Sequence, residues 1–110
     1  MKLFKITFLL VVLFVASADA FAATWTGKLT LHRVYTAAST VYVQTSPSSA
    51  HINPDGCKAA SNYAMDPEAT LFNERYQLLL TGLVSEKTVS LELSGCLGSY
   101  PKVTKVILYK

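Results

Sequence analysis

The sequence predicts a mainly β domain with one helix, of the α+β class. Several short segments alternate apolar and polar residues, which is typical of half-buried strands. One segment between them instead repeats its apolar residues at the spacing of an amphipathic helix. The length of 110 residues is that of one domain.

The first 22 residues are expected to lie outside this domain. Two lysines precede a run of about ten apolar residues, and small residues follow it. This order predicts a secretory signal peptide over residues 1–22, cleaved after Ala20 or Ala22. An uncleaved membrane anchor is the alternative, although the run is well short of the roughly 20 residues that span a bilayer. Residues 23–110 then form the domain, and the expected localisation is periplasmic or secreted.

A strand pair is expected to open the domain. Residues 26–35 alternate in their middle, where Leu29 and Leu31 share one side, and residues 41–45 alternate as well. Both segments are rich in β-branched and aromatic residues, as strands tend to be. The short link at residues 37–40 indicates that the two strands pair antiparallel.

A loop and a short strand are expected next. Residues 46–56 are rich in Ser, Pro, Asn and Gly, and they end in a Pro-Asp-Gly turn. This loop delivers Cys57 to the start of a brief extended segment around residues 61–65.

A helix is expected from Asp66 to about Ser85. Asp66 can cap it, and the proline and glutamate that follow suit the first helical turn. The apolar residues of one face are Phe72, Tyr76, Leu79, Leu80 and Leu83. Leu71 and Leu78 lie on a flank and widen this apolar stripe. Either the helix is deeply seated, or these two leucines contact a neighbouring subunit.

Two further strands are expected to complete the chain. Residues 88–93 alternate cleanly, a turn rich in Gly and Pro follows, and residues 103–109 form the last strand. Five strands with a helix between the third and fourth fit a small Greek-key barrel of the OB type. A plain α+β sandwich is the competing architecture.

The two cysteines, Cys57 and Cys96, predict one disulfide. Export favours oxidation, and the bridge would close a loop of about 40 residues, worth roughly 4 kcal/mol in the chain-entropy model. A pair of free thiols is the alternative, but the sequence holds no C-x-x-C motif or neighbouring histidine that would activate them.

The sequence carries no sign of catalytic machinery. Nucleophile-elbow, phosphate-loop and zinc-protease motifs are absent. His32 and His51 stand apart from other metal-ligand side chains, and the carboxylates are scattered. We therefore expect no enzyme activity, no metal and no cofactor. The net charge of +3 is too small to indicate a nucleic-acid or membrane-surface partner.

Exposed aromatic and charged residues are the candidate ligand-binding residues. They are Trp25, Tyr35, Tyr100, Lys102 and Tyr109. Aromatic faces stack on sugar rings, and lysine donors bind hydroxyl groups, so carbohydrate is the favoured ligand. Stacking of single-stranded nucleic acid is an alternative that export and the small net charge disfavour. A solvated edge strand whose lysines prevent aggregation is the other interpretation.

Several motifs together resemble a family of small, mostly uncharacterised exported proteins of Gram-negative bacteria. These motifs are Asn53-Pro54-Asp55-Gly56-Cys57, Asn62-Tyr63-Ala64-Met65-Asp66, Phe72 with Tyr76-Gln77-Leu78-Leu79-Leu80, Ser94-Gly95-Cys96 and Tyr100-Pro101-Lys102-Val103. They cover nearly the whole of the expected mature chain.

More loosely, the half that holds the helix and the Tyr-Pro strand resembles the pentameric B subunits of bacterial A–B toxins, of the subtilase-cytotoxin type. That resemblance implies an OB-like fold, a ring of five subunits and recognition of cell-surface glycans. The central helices of such rings line a pore, which implies a subunit contact for Leu71 and Leu78. No glycan-binding residue of that group is carried over onto this sequence.

The sequence thus predicts an exported, non-enzymatic binding module that recognises a glycan, with a homopentamer as its expected assembly. A periplasmic structural or inhibitor protein that binds another protein is the alternative. A small hydrolase with a site assembled from distant residues is a third interpretation.

Overall fold

The structure is a computed structural model that describes residues 23–59 and 61–110. The segment expected to be a signal peptide lies outside these residues. Within them, the chain forms six strands and one α-helix, with a 3₁₀ turn at Ser48–Ala50. The elements are β1 Thr24–Trp25, β2 Leu29–Ala37, β3 Thr40–Ser46, β4 Tyr63–Met65, α1 Phe72–Ser85, β5 Thr88–Leu97 and β6 Tyr100–Leu108. The prediction of a mainly β domain with one helix is confirmed.

The strands form one sheet in the order β1-β5-β2-β3-β4-β6, and β5 pairs in addition with β6. The pairings of the five longer strands therefore form a closed circuit. Neighbouring strands run antiparallel, except that β4 and β6 are parallel and place Ala64 opposite Lys102. The predicted hairpin of β2 and β3 is confirmed, with Ala37 opposite Thr40 and Ala38 at a left-handed φ of +52° in its turn.

The structure contains one strand more than the five predicted. In β1, Thr24 pairs with Leu93 and Trp25 pairs with Glu92 on β5. Two residues are too few to show the alternation by which a strand is identified in a sequence. Only the pairing with β5 defines this strand.

The hairpin of β5 and β6 is longer than predicted. The stretch expected to be a turn instead continues both strands, and Cys96 pairs with Pro101. Register shifts between Leu93 and Cys96 accommodate the glycine of this stretch, which is at a left-handed φ of +70°. Glycine and proline are common where such bulges interrupt a ladder. Cys57 lies in the loop before β4, and not in the strand itself.

The helix begins at Phe72, later than predicted. The Asp66 carboxylate does accept a hydrogen bond from the Glu68 N–H (2.9 Å), but it caps a turn. Leu71 then adopts a left-handed φ of +62°, which a right-handed helix cannot contain. The predicted end at Ser85 is confirmed, and the N–H of Glu86 caps the Gly82 carbonyl. Among the described residues, no helix is both long and apolar enough to cross a membrane.

The core lies between the inner face of the sheet and α1. Its buried members are Leu31, Val41, Val43, Tyr63, Met65, Leu79, Val89, Leu91, Leu93 and Val103. Gly82 lets α1 approach the sheet closely. A β-carbon at this position would lie 3.1 Å from Val89 Cγ1 and 3.2 Å from Leu108 Cδ1.

We expect Gly82→Val to lower the free energy of unfolding by about 1–3 kcal/mol, because its branched side chain would push α1 off the sheet. Urea denaturation followed by circular dichroism measures this. Gly27→Ala is the matched control, because no heavy atom lies within 4 Å of its added β-carbon. Equal midpoints for the two variants would show that the helix shifts freely and that the close approach is unimportant.

Candidate functional site

Three tyrosines form a cluster on the outer face of the sheet, which we call the tyrosine cluster: Tyr35 on β2, Tyr42 on β3 and Tyr100 on β6. Val41 and Val43 are buried in the core, so the side chain of Tyr42 between them points outward. Tyr35 pairs directly with Tyr42 and therefore shares its face.

The rings of the cluster contact one another. Tyr35 stacks on Tyr42 with ring centroids 5.2 Å apart, and Tyr100 meets Tyr42 edge-on at 5.1 Å. The guanidinium of Arg33 lies 4.8 Å from the centre of the Tyr35 ring. These half-buried rings and one exposed cation form a surface that combines aromatic faces with hydrogen-bond donors.

The parallel pairing of β4 with β6 brings the C-terminal residues to this cluster. Pro101 and Val103 are buried, so Lys102 between them and Tyr100 before them point to the outer face. Lys102 lies opposite Ala64, which in turn pairs with Tyr42. The structure thus unites three of the predicted ligand-binding residues with Tyr42 and Arg33, which the sequence analysis did not single out.

The other two predicted residues have different neighbours. Trp25 is 41% exposed and pairs with Glu92 on β5. Glu92 is buried, and its carboxylate accepts a hydrogen bond from Thr104 (2.9 Å) and lies 3.5 Å from Lys105 Nζ. Tyr109 lies beyond the end of β6, and Lys28 Nζ is 4.4 Å from its ring centre.

A polar cleft of about 460 Å³ lies at the end of β3. Its lining residues are His32, Gln44, Thr45, Ser46, Ser48, His51 and Ser61. We refer to it as the polar cleft. It includes both histidines of the sequence, His32 on β2 and His51 just after the 3₁₀ turn.

The ring of His51 is held flat against a core tyrosine. Its centroid lies 4.1 Å from that of Tyr63, with 9° between the ring planes. Burial lowers the pKa of His51 and so favours the neutral imidazole, and a backbone hydrogen bond at Asn62 opposes this shift. The Tyr63 hydroxyl accepts a hydrogen bond from the Ile52 N–H (3.0 Å), and burial raises the pKa of Tyr63.

Asn62 connects the tyrosine cluster with the polar cleft. This residue is buried, and its side-chain Nδ2 donates a hydrogen bond to the Tyr35 hydroxyl at 2.9 Å. Because this bond uses the amide nitrogen, the amide oxygen points elsewhere and has no hydrogen-bond partner. Its backbone also forms a hydrogen bond with His51, which lines the cleft, so this one residue contacts both places.

The predicted disulfide between Cys57 and Cys96 is confirmed, with a Cα–Cα distance of 5.8 Å. Hydrogen bonds supplement it at the same place. The Asp55 carboxylate accepts from the Gly95 N–H at 2.7 Å, and Asn53 both donates to the Cys57 carbonyl and accepts from its N–H. Together they tie the loop that follows the cleft wall to the hairpin of β5 and β6.

The predicted oligomer residues are exposed. Leu71 is 59% exposed and Leu78 37%, so neither is seated in the core. Val84 is 84% exposed, near the end of α1, and the sequence analysis did not single it out. The helix is seated deeply only on the face that packs against the sheet, where Leu79 is fully buried.

Among residues 23–59 and 61–110, no three His, Cys, Asp or Glu side chains are grouped so that they could hold a metal ion. Comparison with protein-family models found no match to this chain, and no curated protein matches it. The candidate sites are the tyrosine cluster and the polar cleft.

Proposed function

We propose that this protein is an exported, non-enzymatic module that binds carbohydrate on the tyrosine cluster. The observation that carries the proposal is the meeting of Tyr35, Tyr42 and Tyr100 on one outer face, with Arg33 and Lys102 beside them. Ligand sites commonly combine aromatic surface with a few polar groups that fix orientation. A sugar has an apolar C–H face that can stack on a tyrosine ring. It also has hydroxyl groups that can accept hydrogen bonds from Arg33 and Lys102.

We further propose that the closed circuit of strands is a small barrel of the OB type. Support comes from the pairing order, from the parallel pairing of β4 with β6, and from a helix between β4 and β5. If β1 is set aside, β3 and β4 are the second and third strands of this barrel. OB folds bind oligosaccharides and oligonucleotides at the face of those strands, where Tyr42 lies.

Export and assembly complete the proposal. A disulfide favours an oxidising compartment, in agreement with periplasmic or secreted localisation. The exposed Leu71 and Leu78 support a contact between copies of this chain, as in the pentameric toxin subunits that the sequence resembles. Light scattering of the oxidised protein measures this assembly, and Leu78→Glu is expected to shift a pentamer towards monomer.

A glycan array read with labelled protein tests carbohydrate binding, and Tyr42→Ala is the decisive variant. We expect Tyr42→Ala to weaken binding about tenfold, because it removes the central ring of the cluster. Tyr42→Phe retains the ring and should retain most of the affinity. Tyr109→Ala, outside the cluster, should change it little.

An array without any hits would contradict the proposal. If periplasmic extract instead yields a reproducible protein partner that sugars do not displace, the protein is a structural or inhibitor protein. Binding of single-stranded oligonucleotides that Tyr42→Ala abolishes would assign the same cluster to nucleic acid. Hydrolysis of a glycoside by the purified protein would replace the binding module with an enzyme.

A further inference from the structure

The polar cleft contains buried polar atoms that lack partners. Thr45 Oγ1 and His51 Nε2 are shielded from solvent and make no hydrogen bond to the described protein. Both residues line the cleft, and Thr45 is only 7% exposed. An unpartnered buried polar group costs about 1–3 kcal/mol, and native proteins contain few of them. Two such atoms on residues of one cleft indicate that their partners come from outside the chain.

The strand register brings two of the lining residues together. Val43 pairs with Tyr63, so the antiparallel ladder directs Thr45 towards Ser61. Thr45, Ser61 and His51 all line the polar cleft. His51 is fixed there by its stacking on Tyr63 and by its backbone hydrogen bond at Asn62.

The chemistry of the lining is uncharged and able both to donate and to accept. The seven lining side chains provide three serine hydroxyls, one threonine hydroxyl, one amide and two imidazoles. None of them is a carboxylate, an ammonium or a guanidinium. A charged ligand would lose its hydration here without gaining an opposite charge, whereas a hydroxyl can donate to one atom and accept from another.

We infer that the polar cleft is a subsite for one uncharged, hydroxyl-rich ring of the ligand, separate from the tyrosine cluster. The volume of about 460 Å³ lies within the range of about 300–1,000 Å³ of small-molecule sites. The inference rests on the proposed carbohydrate binding, and it adds that the ring in the cleft is neutral.

The test uses the full mature protein and four neutral probes, the methyl glycosides of glucose, galactose, mannose and N-acetylglucosamine. Each is titrated to about 50 mM, which detects millimolar affinity, and two-dimensional NMR of the ¹⁵N-labelled protein follows the amides of residues 44–52 and 61–63. N-acetylneuraminic acid is the charged comparison. At least one neutral glycoside is expected to shift these amides, and the charged sugar is not.

Thr45→Val separates ligand binding from a structural role. It replaces the hydroxyl by a methyl group of the same shape, so it should leave the urea midpoint unchanged or raise it, because Oγ1 has no partner in the free protein. The same variant should weaken the glycoside about tenfold. Thr45→Ser is the matched control, because it retains the hydroxyl and should retain binding.

Three outcomes would overturn the inference. The first is that no neutral glycoside shifts these amides, which would mean that the cleft holds water only. The second is that only the charged sugar shifts them. The third is that Thr45→Val binds the glycoside as tightly as the wild-type protein does.

Tyr42→Ala distinguishes the two proposals. If it abolishes oligosaccharide binding but the glycosides never shift the cleft, the cluster is a site and the cleft is not. If the glycosides shift the cleft and Tyr42→Ala changes nothing, the cleft is the site and the cluster is not.

Discussion

Loss of the disulfide between Cys57 and Cys96 is expected to lower the free energy of unfolding by about 4 kcal/mol. The bridge joins residues that are 39 apart in sequence. In the chain-entropy model, opening a loop of this length raises the entropy of the unfolded chain and thereby stabilises it by about 4 kcal/mol. A domain of this size has a total stability of about 5–15 kcal/mol, so the loss is a large share of it. The midpoint of urea unfolding, with and without reductant, measures the effect.

The double variant Cys57→Ala/Cys96→Ala is the control for this experiment. It should unfold at the midpoint of the reduced wild-type protein, and added reductant should not change it further. The hydrogen bond from Gly95 to the Asp55 carboxylate remains in both cases and retains part of the native loop position. Identical midpoints for oxidised and reduced wild type would show that the bridge contributes nothing to stability.

The substitution Leu79→Ala is expected to lower the free energy of unfolding by about 2–5 kcal/mol. Leu79 is fully buried on α1 and packs in the core cluster with the strands of the sheet. Removing its side chain loses the transfer free energy of the leucine and leaves a cavity beneath the helix. Urea denaturation of the oxidised protein, with the slope of the transition compared between variants, measures the loss.

Val84→Ala on the same helix is the matched control. Val84 is 84% exposed, so the variant should stay within about 0.5 kcal/mol of the wild-type protein. The measurement is made at low and at high protein concentration. A loss at position 84 as large as that at position 79, seen only at high concentration, would mean that copies of the chain cover the outer side of α1.

The local elements of this fold were predictable from sequence because short-range patterns determine them. The alternation in β2, β3 and β5 reflects sheet faces that repeat every two residues, and the apolar face of α1 reflects the helical period. The disulfide was predictable because the sequence contains two cysteines, Cys57 and Cys96. The start of α1 was not, because the left-handed backbone of Leu71 has no signature in residue type.

The candidate site was predictable only in part. Tyr35, Tyr100 and Lys102 were identified as exposed aromatic or charged residues, yet nothing local indicates that they meet. Tyr42 could have been added, because it lies between Val41 and Val43 and must point away from the core. The polar cleft had no comparable signal, because nothing in the local sequence distinguishes Thr45 and His51 from polar residues that remain in contact with water.

By itself, the sequence determined which segments become strands or helix and which cysteines pair, because those outcomes follow from side-chain period and from the number of thiols. Only the tertiary structure decided which residues share a surface. The parallel pairing of β4 with β6 places Lys102 opposite Ala64, next to the row of Tyr35 and Tyr42. Such contacts join residues far apart in the chain, and their formation depends on the packing of the whole core.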